Sequence, residues 1–261
     1  MIVIDPSVRR RIAASGLLAA FLAAACASSA QPESARGPTR ATVSPPAAIA
    51  SPSPEVVSAP EGPPRFDGRI SPLPAWLRDQ MSGTTWKPGC PVTLADLRLL
   101  RFNYWNFHGE VARGPMVVHE DVAPDVLWVF RRLFRARFPI KQVALAREFV
   151  PEEFEPVTYT RRSTTAAFNC RSVILPSGPT GEFSNHSYGM AVDINPIQNP
   201  YVTADGFYRT RASRPYIDRS RRLKGMIHHG DVVVRAFAAI GWTWGGHWSG
   251  DKDYMHFDVR A

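Results

Sequence analysis

Residues 184–196 read Ser-Asn-His-Ser-Tyr-Gly-Met-Ala-Val-Asp-Ile-Asn-Pro, and the position of Asp193 among them decides how the chain is read. Ala191, Val192 and Ile194 have the composition of a buried strand, where a lone carboxylate is costly unless something pairs with it. Alternate residues of a strand face opposite sides. Met190, Val192 and Ile194 therefore form an apolar face, and Asp193 projects from the other beside Ala191. His186 lies upstream, and Gly189 between them permits a tight chain reversal. A histidine and a carboxylate converging across such a turn have the chemistry of metal ligands.

The C-terminal stretch, residues 241–260, supplies a third candidate. It closes on Asp253-Tyr-Met-His-Phe-Asp-Val259, in which Tyr254, His256 and Asp258 face one way and Met255, Phe257 and Val259 the other. His186, Asp193 and His256 make a set of two histidines and one carboxylate with a fourth position left for water. That is the composition of catalytic zinc rather than of the closed structural type. Ser249-Gly250-Asp251-Lys252 is turn-like, so Asp253 can sit at the strand entrance and lean over the site. From spacing alone, a general base and a turn-capping aspartate fit it equally well.

Around these motifs the elements come in mixed order. A short helix with Pro74 in its first turn is expected over residues 74–81, strands over 97–107, 111–119, 143–150, 189–194 and 254–259, and amphipathic helices over 125–137 and 231–240. Without regular strand–helix alternation, this predicts an α+β domain whose central, mostly antiparallel sheet is flanked by helices.

The first 25 residues read as a secretory signal peptide, with Arg9, Arg10 and Arg11 ahead of an apolar run too short to span a bilayer comfortably. Small residues end that run directly before Cys26, and Leu22-Ala-Ala-Ala-Cys26 resembles a bacterial lipobox, predicting lipidation of Cys26. Residues 26–64 are rich in Pro, Ala and Ser and read as a tether, with a reach on the order of 100 Å. The remaining residues, 65–261, form the globular domain. In an exported protein the other two cysteines, Cys90 and Cys170, are expected to be bridged. Closing a loop of about 80 residues is worth on the order of 4 kcal/mol in the chain-entropy model. The formal charge of +8 admits an anionic partner.

Ser184-x-His186, Gly189-x-Ala191-x-Asp193 and Asp253-x-x-His256 together resemble the zinc peptidases of D-alanyl-D-alanine carboxypeptidase and L-alanyl-D-glutamate endopeptidase type, which share a fold with the signalling domain of hedgehog proteins. The similarity runs over most of residues 70–261. Trp86-Lys-Pro-Gly-Cys90-Pro, Ala167-Phe-Asn-Cys170-Arg171, Asn195-Pro-Ile-Gln-Asn199-Pro-Tyr201 and Gly241-Trp-x-Trp-Gly-Gly resemble a bacterial, cell-wall-associated branch. The resemblance implies one zinc ion on His186, Asp193 and His256, Asp253 as catalytic base, and Ser184 near the substrate. An arginine would grip substrate or steady the oxyanion, with Arg171 the first choice and Arg162 the second. Tyr188 and Trp244 are expected to wall the cleft. The implied partners are peptidoglycan stem peptides. Nucleic acid is not expected, a membrane enters only through the lipid anchor, and the protein is expected to be a monomer at the cell envelope.

Competing motifs are weaker. His119-Glu120 lacks the second histidine of a metalloprotease helix, and Ser249-x-x-Lys252 lacks a Lys-Thr-Gly partner. His228 and His229 read as surface residues, His247 as a neighbour of the site or merely exposed, and the arginines of residues 131–137 and 219–222 as solvated faces. Two functions from different classes stand: a zinc peptidase, and a non-catalytic zinc-bearing module that binds the wall or a partner. An intact Asp253 favours the enzyme.

Overall fold

The computed structural model describes residues 62–146, 163–175, 177–208 and 210–259. The expected signal peptide, Cys26, nearly all of the tether, Arg162 and the far end of the strand expected over 143–150 lie outside the described residues.

A hairpin of two nine-residue strands anchors the first half of the described domain. Strand β1 (Gly68–Pro72) is followed by helix α1 (Ala75–Met81), then by β2 (Leu97–Trp105) and β3 (Val111–His119). The sheet order is β1-β2-β3, antiparallel throughout, with Leu100 opposite Met116. Helix α2 (Ala123–Arg135) carries Pro124 in its first turn, where no amide hydrogen is missed. Its Val126, Val129, Phe130 and Leu133 are buried at helical spacing, and Phe130 stacks on Phe102 of β2 at 4.3 Å between centroids.

The second half is built from much shorter pieces. Strands β4 (Gln142–Val143) and β5 (Thr164–Thr165) pair in parallel, and β6 (Ser172–Leu175) and β7 (Gly178–Phe183) form a hairpin. Then come β8 (Ala191–Asp193), β9 (Tyr201–Val202), helix α3 (Val232–Ala238), β10 (Trp242–Trp244), β11 (Lys252–Asp253) and β12 (His256–Val259). Strands β10, β12 and β8 make a three-stranded sheet in that order, and β11 pairs with β9.

The α+β mixture agrees with the sequence reading, and a single central sheet is not seen among the described residues. The described residues form five small sheets. Asn195 and Asn199 show why pairing stops so soon after β8. Asn195 takes a left-handed φ of 48°, donates to Pro139 O and Gly225 O and accepts from the Lys141 amide. Asn199 donates to Ile194 O and accepts from the Ile227 amide. Side-chain amides therefore satisfy backbone groups that a longer ladder would otherwise have paired. The strand expected over 143–150 is likewise only Gln142–Val143 among the described residues.

Two apolar clusters result. The main one joins β2, β3, α2, α3, Val192, Ile194 and Phe257, with Phe237 of α3 stacked on Phe257 at 4.2 Å. The smaller one gathers Leu73, Leu77, Met81, Leu97, Leu99, Phe168 and Cys170. Cys170 is bridged to Cys90 across a sequence separation of 80, as expected, with Cα atoms 6.0 Å apart. The bridge ties the chain after α1 to the segment that leads into Arg171. Replacing both cysteines by alanine should lower unfolding free energy by about 2–5 kcal/mol in urea titrations under oxidising conditions. A loss below about 0.5 kcal/mol would mean the bridge constrains little.

Candidate metal centre

Three features of the chain hold His186. It lies in a 3-10 turn, Asn185–Tyr188, whose start is capped by the Ser184 hydroxyl accepting from the His186 amide at 3.4 Å. The turn ends at Gly189 with φ of 68°, and a Cβ there would come within 2.6 Å of the His119 amide nitrogen. Only glycine lets the turn press against β3, where the His119 amide donates to Gly189 O at 3.0 Å. Finally, His186 Nδ1 donates to Ala167 O at 2.7 Å. Donation from Nδ1 leaves Nε2 with a lone pair facing inward.

The other two residues come together through strand register. His256 on β12 stands directly opposite Asp193 on β8. The opposite faces of the same strands carry Val192 and Phe257 into the core, so the core holds the polar pair in place. Asp193 Oδ1 lies 3.3 Å from His186 Nε2 and 3.0 Å from His256 Nδ1. All three residues are buried, and their ligand atoms lie within 4.8 Å of one another. Burial pushes the Asp193 carboxyl up, but the two imidazoles outweigh it and hold it well below the usual carboxylate range.

A second carboxylate backs the site. Asp258 Oδ2 lies 3.4 Å from His256 Nε2, and Asp258 itself accepts from Thr243 Oγ1 and Asn185 Nδ2, each at 2.9 Å. Burial opposes a charged His256, yet its contacts with Asp193 and Asp258 raise it to about 10.

These residues fit a divalent metal. His186 Nε2 is buried with no hydrogen-bond partner among the described residues, although a carboxylate oxygen lies 3.3 Å away. A neutral His186 would set two lone pairs against each other at that distance, a contact that a proton or a metal cation relieves. One open position, two imidazoles and one carboxylate match a catalytic zinc set, and Asp258 behind His256 is the orienting carboxylate such sites use.

Asp253 sits at the edge of this cluster. Strand β11 places it opposite Tyr201, and Asp251 in the preceding turn accepts from Tyr201 Oη and the Ala204 amide. Asp253 Oδ1 is buried and makes no hydrogen bond among the described residues. Burial, reinforced by the charge of Asp193, raises its carboxyl to about 7, against the pull of His256, Arg171 and the Met255 amide. Arg171 is thus close enough to act on Asp253 electrostatically, and its own amide donates to Ser187 Oγ at 2.9 Å.

The remaining expectations divide. Tyr188 is 37 % exposed at the end of the His186 turn and free to meet a ligand. Ser184 is buried and its hydroxyl caps that turn, so its visible contact is with the backbone of His186. Trp244, expected at the cleft, is buried. The β10 register turns it to the core side with Phe257, and its Nε1 donates to Tyr254 O at 2.8 Å. His247 pairs with His229 at 2.9 Å instead of joining the triad. Arg219, read as part of a solvated face, is largely buried. It donates to the carbonyls of Gln198, Tyr216 and Ile227 and lies 4.2 Å over Tyr254. That burial lowers it to about 10.

Asp258 and Gly245 escaped the sequence reading. Asp258 shares the His256 face by simple alternation, so the signal for it was present. Gly245 supports Asp253: a Cβ there would meet Asp253 O at 2.4 Å and Asp253 Cβ at 2.9 Å. Only the pair Gly245-Gly246 in the sequence hinted at a close approach.

Two outcomes are expected. Zinc should bind at about one per chain and be lost in His186→Ala and His256→Ala, whereas Asp258→Asn should weaken affinity by about 10–100-fold in chelator competition. The second concerns pH. Metal-free folded protein holds the Asp253 proton up to about 7, while the unfolded chain releases it near 3.8. The neutral carboxyl's contribution is therefore fully present below pH 3.8 and lost as pH rises through 7. Metal-free Asp253→Asn should match the parent in urea stability at low pH and exceed it above about pH 7. Parallel profiles would show that Asp253 is not held neutral.

A family model described as D-alanyl-D-alanine carboxypeptidase matches residues 177–259. That stretch contains His186, Asp193, Asp253, His256 and Asp258. No curated protein and no solved structure matches the chain. Over these residues the chain is similar to the D-alanyl-D-alanine carboxypeptidase family, and the similarity supports a hydrolase that cuts peptides.

Proposed function

We propose that the protein is a zinc-dependent peptidase that hydrolyses peptidoglycan stem peptides at an amide bond involving a D-amino acid. The observation that carries this reading is the buried Asp253 oxygen without a partner beside a preformed His186–Asp193–His256 set. A module that only binds metal has no use for a second, raised carboxylate held against that set. The match over residues 177–259 supports the same reading.

Zinc held by His186, Asp193 and His256 would supply Lewis-acid polarisation of the scissile carbonyl and acidify water. The Asp253 carboxylate takes the proton of the attacking water and returns it to the leaving amine. Burial and the Asp193 charge raise the Asp253 carboxyl in the metal-free protein, the direction that makes a carboxylate a stronger base. The Arg171 guanidinium donates to Ser172 O and acts on Asp253 only through its charge, a fixed positive charge that can steady the oxyanion or hold a substrate carboxylate. Tyr188 contributes exposed aromatic surface at the rim. Thr243 and Asn185 hold Asp258, Asp258 holds His256, and Ser184 holds the turn of His186.

Export by residues 1–25, a lipid on Cys26 and a tether over residues 26–64 belong to the same proposal, since they would deliver the domain to the wall it cuts. The apolar run before Cys26 and the formed Cys90–Cys170 bridge support export. Labelling with a fatty-acid analogue should mark the protein and fail for Cys26→Ala.

The test of the reaction is incubation with defined stem peptides and mass analysis of the products. Asp253→Asn should retain zinc and lose about 10²–10⁴-fold in turnover. Gly245→Ala should reduce turnover too, by pushing Asp253 from its place, with zinc affinity preserved. A zinc-loaded parent protein that cleaves no stem peptide would favour the binding module.

A further inference from the structure

The end of α2 faces a cavity of about 550 Å³ whose lining shares no residue with the metal centre. Phe66, Trp105 and Phe134 form its aromatic wall. Trp105 stacks on Phe134 at 5.6 Å and its Nε1 donates to Phe134 O at 3.0 Å, while Phe66 meets Phe134 edge-on at 5.7 Å. Arg65, Arg131, Arg135 and Arg137 surround it, all exposed.

None of the four arginines has a carboxylate partner among the described residues. Asp67, the acid nearest in sequence, is taken by Arg69 and Arg113. The sequence reading, a solvated basic face on α2, accounts for exposure but not for convergence. A helix C-terminus favours basic residues in its last turn, which covers Arg132 and Arg135. It does not explain Arg65, which arrives from a different part of the chain.

Arg137 is the most telling of the four. Helix α2 closes with the Arg137 amide donating to Phe134 O and the Phe138 amide to Leu133 O, each at 3.0 Å. This is a Schellman closure, and Arg137 occupies the left-handed position with φ of 51°, where glycine is strongly favoured. The side chain present in glycine's place lies over the Trp105 ring, its guanidinium 4.8 Å from the centroid. A residue with a conformational penalty is thus used to set a cation on the aromatic wall.

From this geometry we infer that the cavity binds a phosphate-bearing anion of glycerophosphate type, its phosphoryl oxygens taken by the lining arginines, of which Arg137 and Arg131 lie over the Trp105 and Phe66 rings. A singly charged carboxylate is matched by one arginine fork, whereas four arginines lining one cavity suit a phosphoryl group with several acceptor oxygens. The shared chemistry is found in soluble glycerol phosphates and in the headgroups of anionic lipids. Pro63 and Pro64, where the tether enters the domain, also line the cavity. The inference does not depend on the peptidase reading.

The test uses the full-length chain carrying Cys26→Ala, so that no acyl chain contributes. Glycerol phosphate, inorganic phosphate and acetate are titrated at constant ionic strength while tryptophan fluorescence is followed. Glycerol phosphate should bind in preference to acetate. Arg135→Ala combined with Arg137→Gly should weaken it at least tenfold without lowering the thermal unfolding midpoint, since glycine suits the left-handed position. Arg65→Ala, on a separate segment, gives an independent loss should the double variant fold poorly. Co-sedimentation with phosphatidylglycerol vesicles but not phosphatidylcholine vesicles, lost in the same variants, would identify a lipid headgroup as the source. Binding of glycerol phosphate without vesicle binding would identify a soluble or polymeric one. Equal binding of acetate and glycerol phosphate, no binding of either, or binding unchanged in the well-folded variants overturns the inference.

Discussion

The structure turns on the antiparallel pairing that sets Asp193 opposite His256. Strands β8 and β12 are short, and their apolar faces carry Val192 and Phe257 into the main core. A one-residue slip would bring those side chains out and drive the carboxylate and imidazole in. Core packing and site geometry are therefore two consequences of one register. Thr243 on β10 extends the arrangement, since it stands opposite Asp258 and donates to it.

Around that pairing the molecule holds two aspartates low and a third high. Asp193 is held low by two imidazoles, and Asp258 is lowered by its contact with His256 and the hydroxyl and amide donors around it, although burial opposes this. Asp253, with its Oδ1 covered and with Asp193 nearby, goes the other way. Environment alone thus sets groups of one chemical type apart, as the proposed roles of ligand, orienting acceptor and proton carrier require. This separation gives the proposed chemistry its physical basis, because a ligand must stay ionised while a base must change its charge near neutral pH.

The polar hubs matter as much as the apolar clusters. Asn195, Asn199 and Arg219 together satisfy backbone carbonyls and amides from segments far apart in sequence, including Pro139, Gly225 and Ile227. Such hubs allow the chain beyond β8 to abandon sheet pairing without leaving buried groups unmet. They account for the early end of β8 among the described residues. The reading of Arg219 as a solvated residue failed for the same reason: an arginine's charge suggests water, but its five donors serve equally well to collect carbonyls.

Much of the site was legible in the chain. Strand alternation put Asp193 and His256 on polar faces, Gly189 marked the reversal that brings His186 back, and the long amphipathic run of α2 declared itself by its spacing. These are local properties, set by the two-residue and 3.6-residue periods of the backbone. Which strands pair, and in what register, was not local. The core face of Trp244, the capping role of Ser184, the contact of Gly245 with Asp253 and the gathering of Arg65 with Arg137 all depend on segments distant in sequence. Residue type could nominate the metal ligands, because few side chains bind metal. Only the packed tertiary structure could decide what each aspartate and arginine does, because their charge states and partners are set by burial and by neighbours that periodicity does not specify.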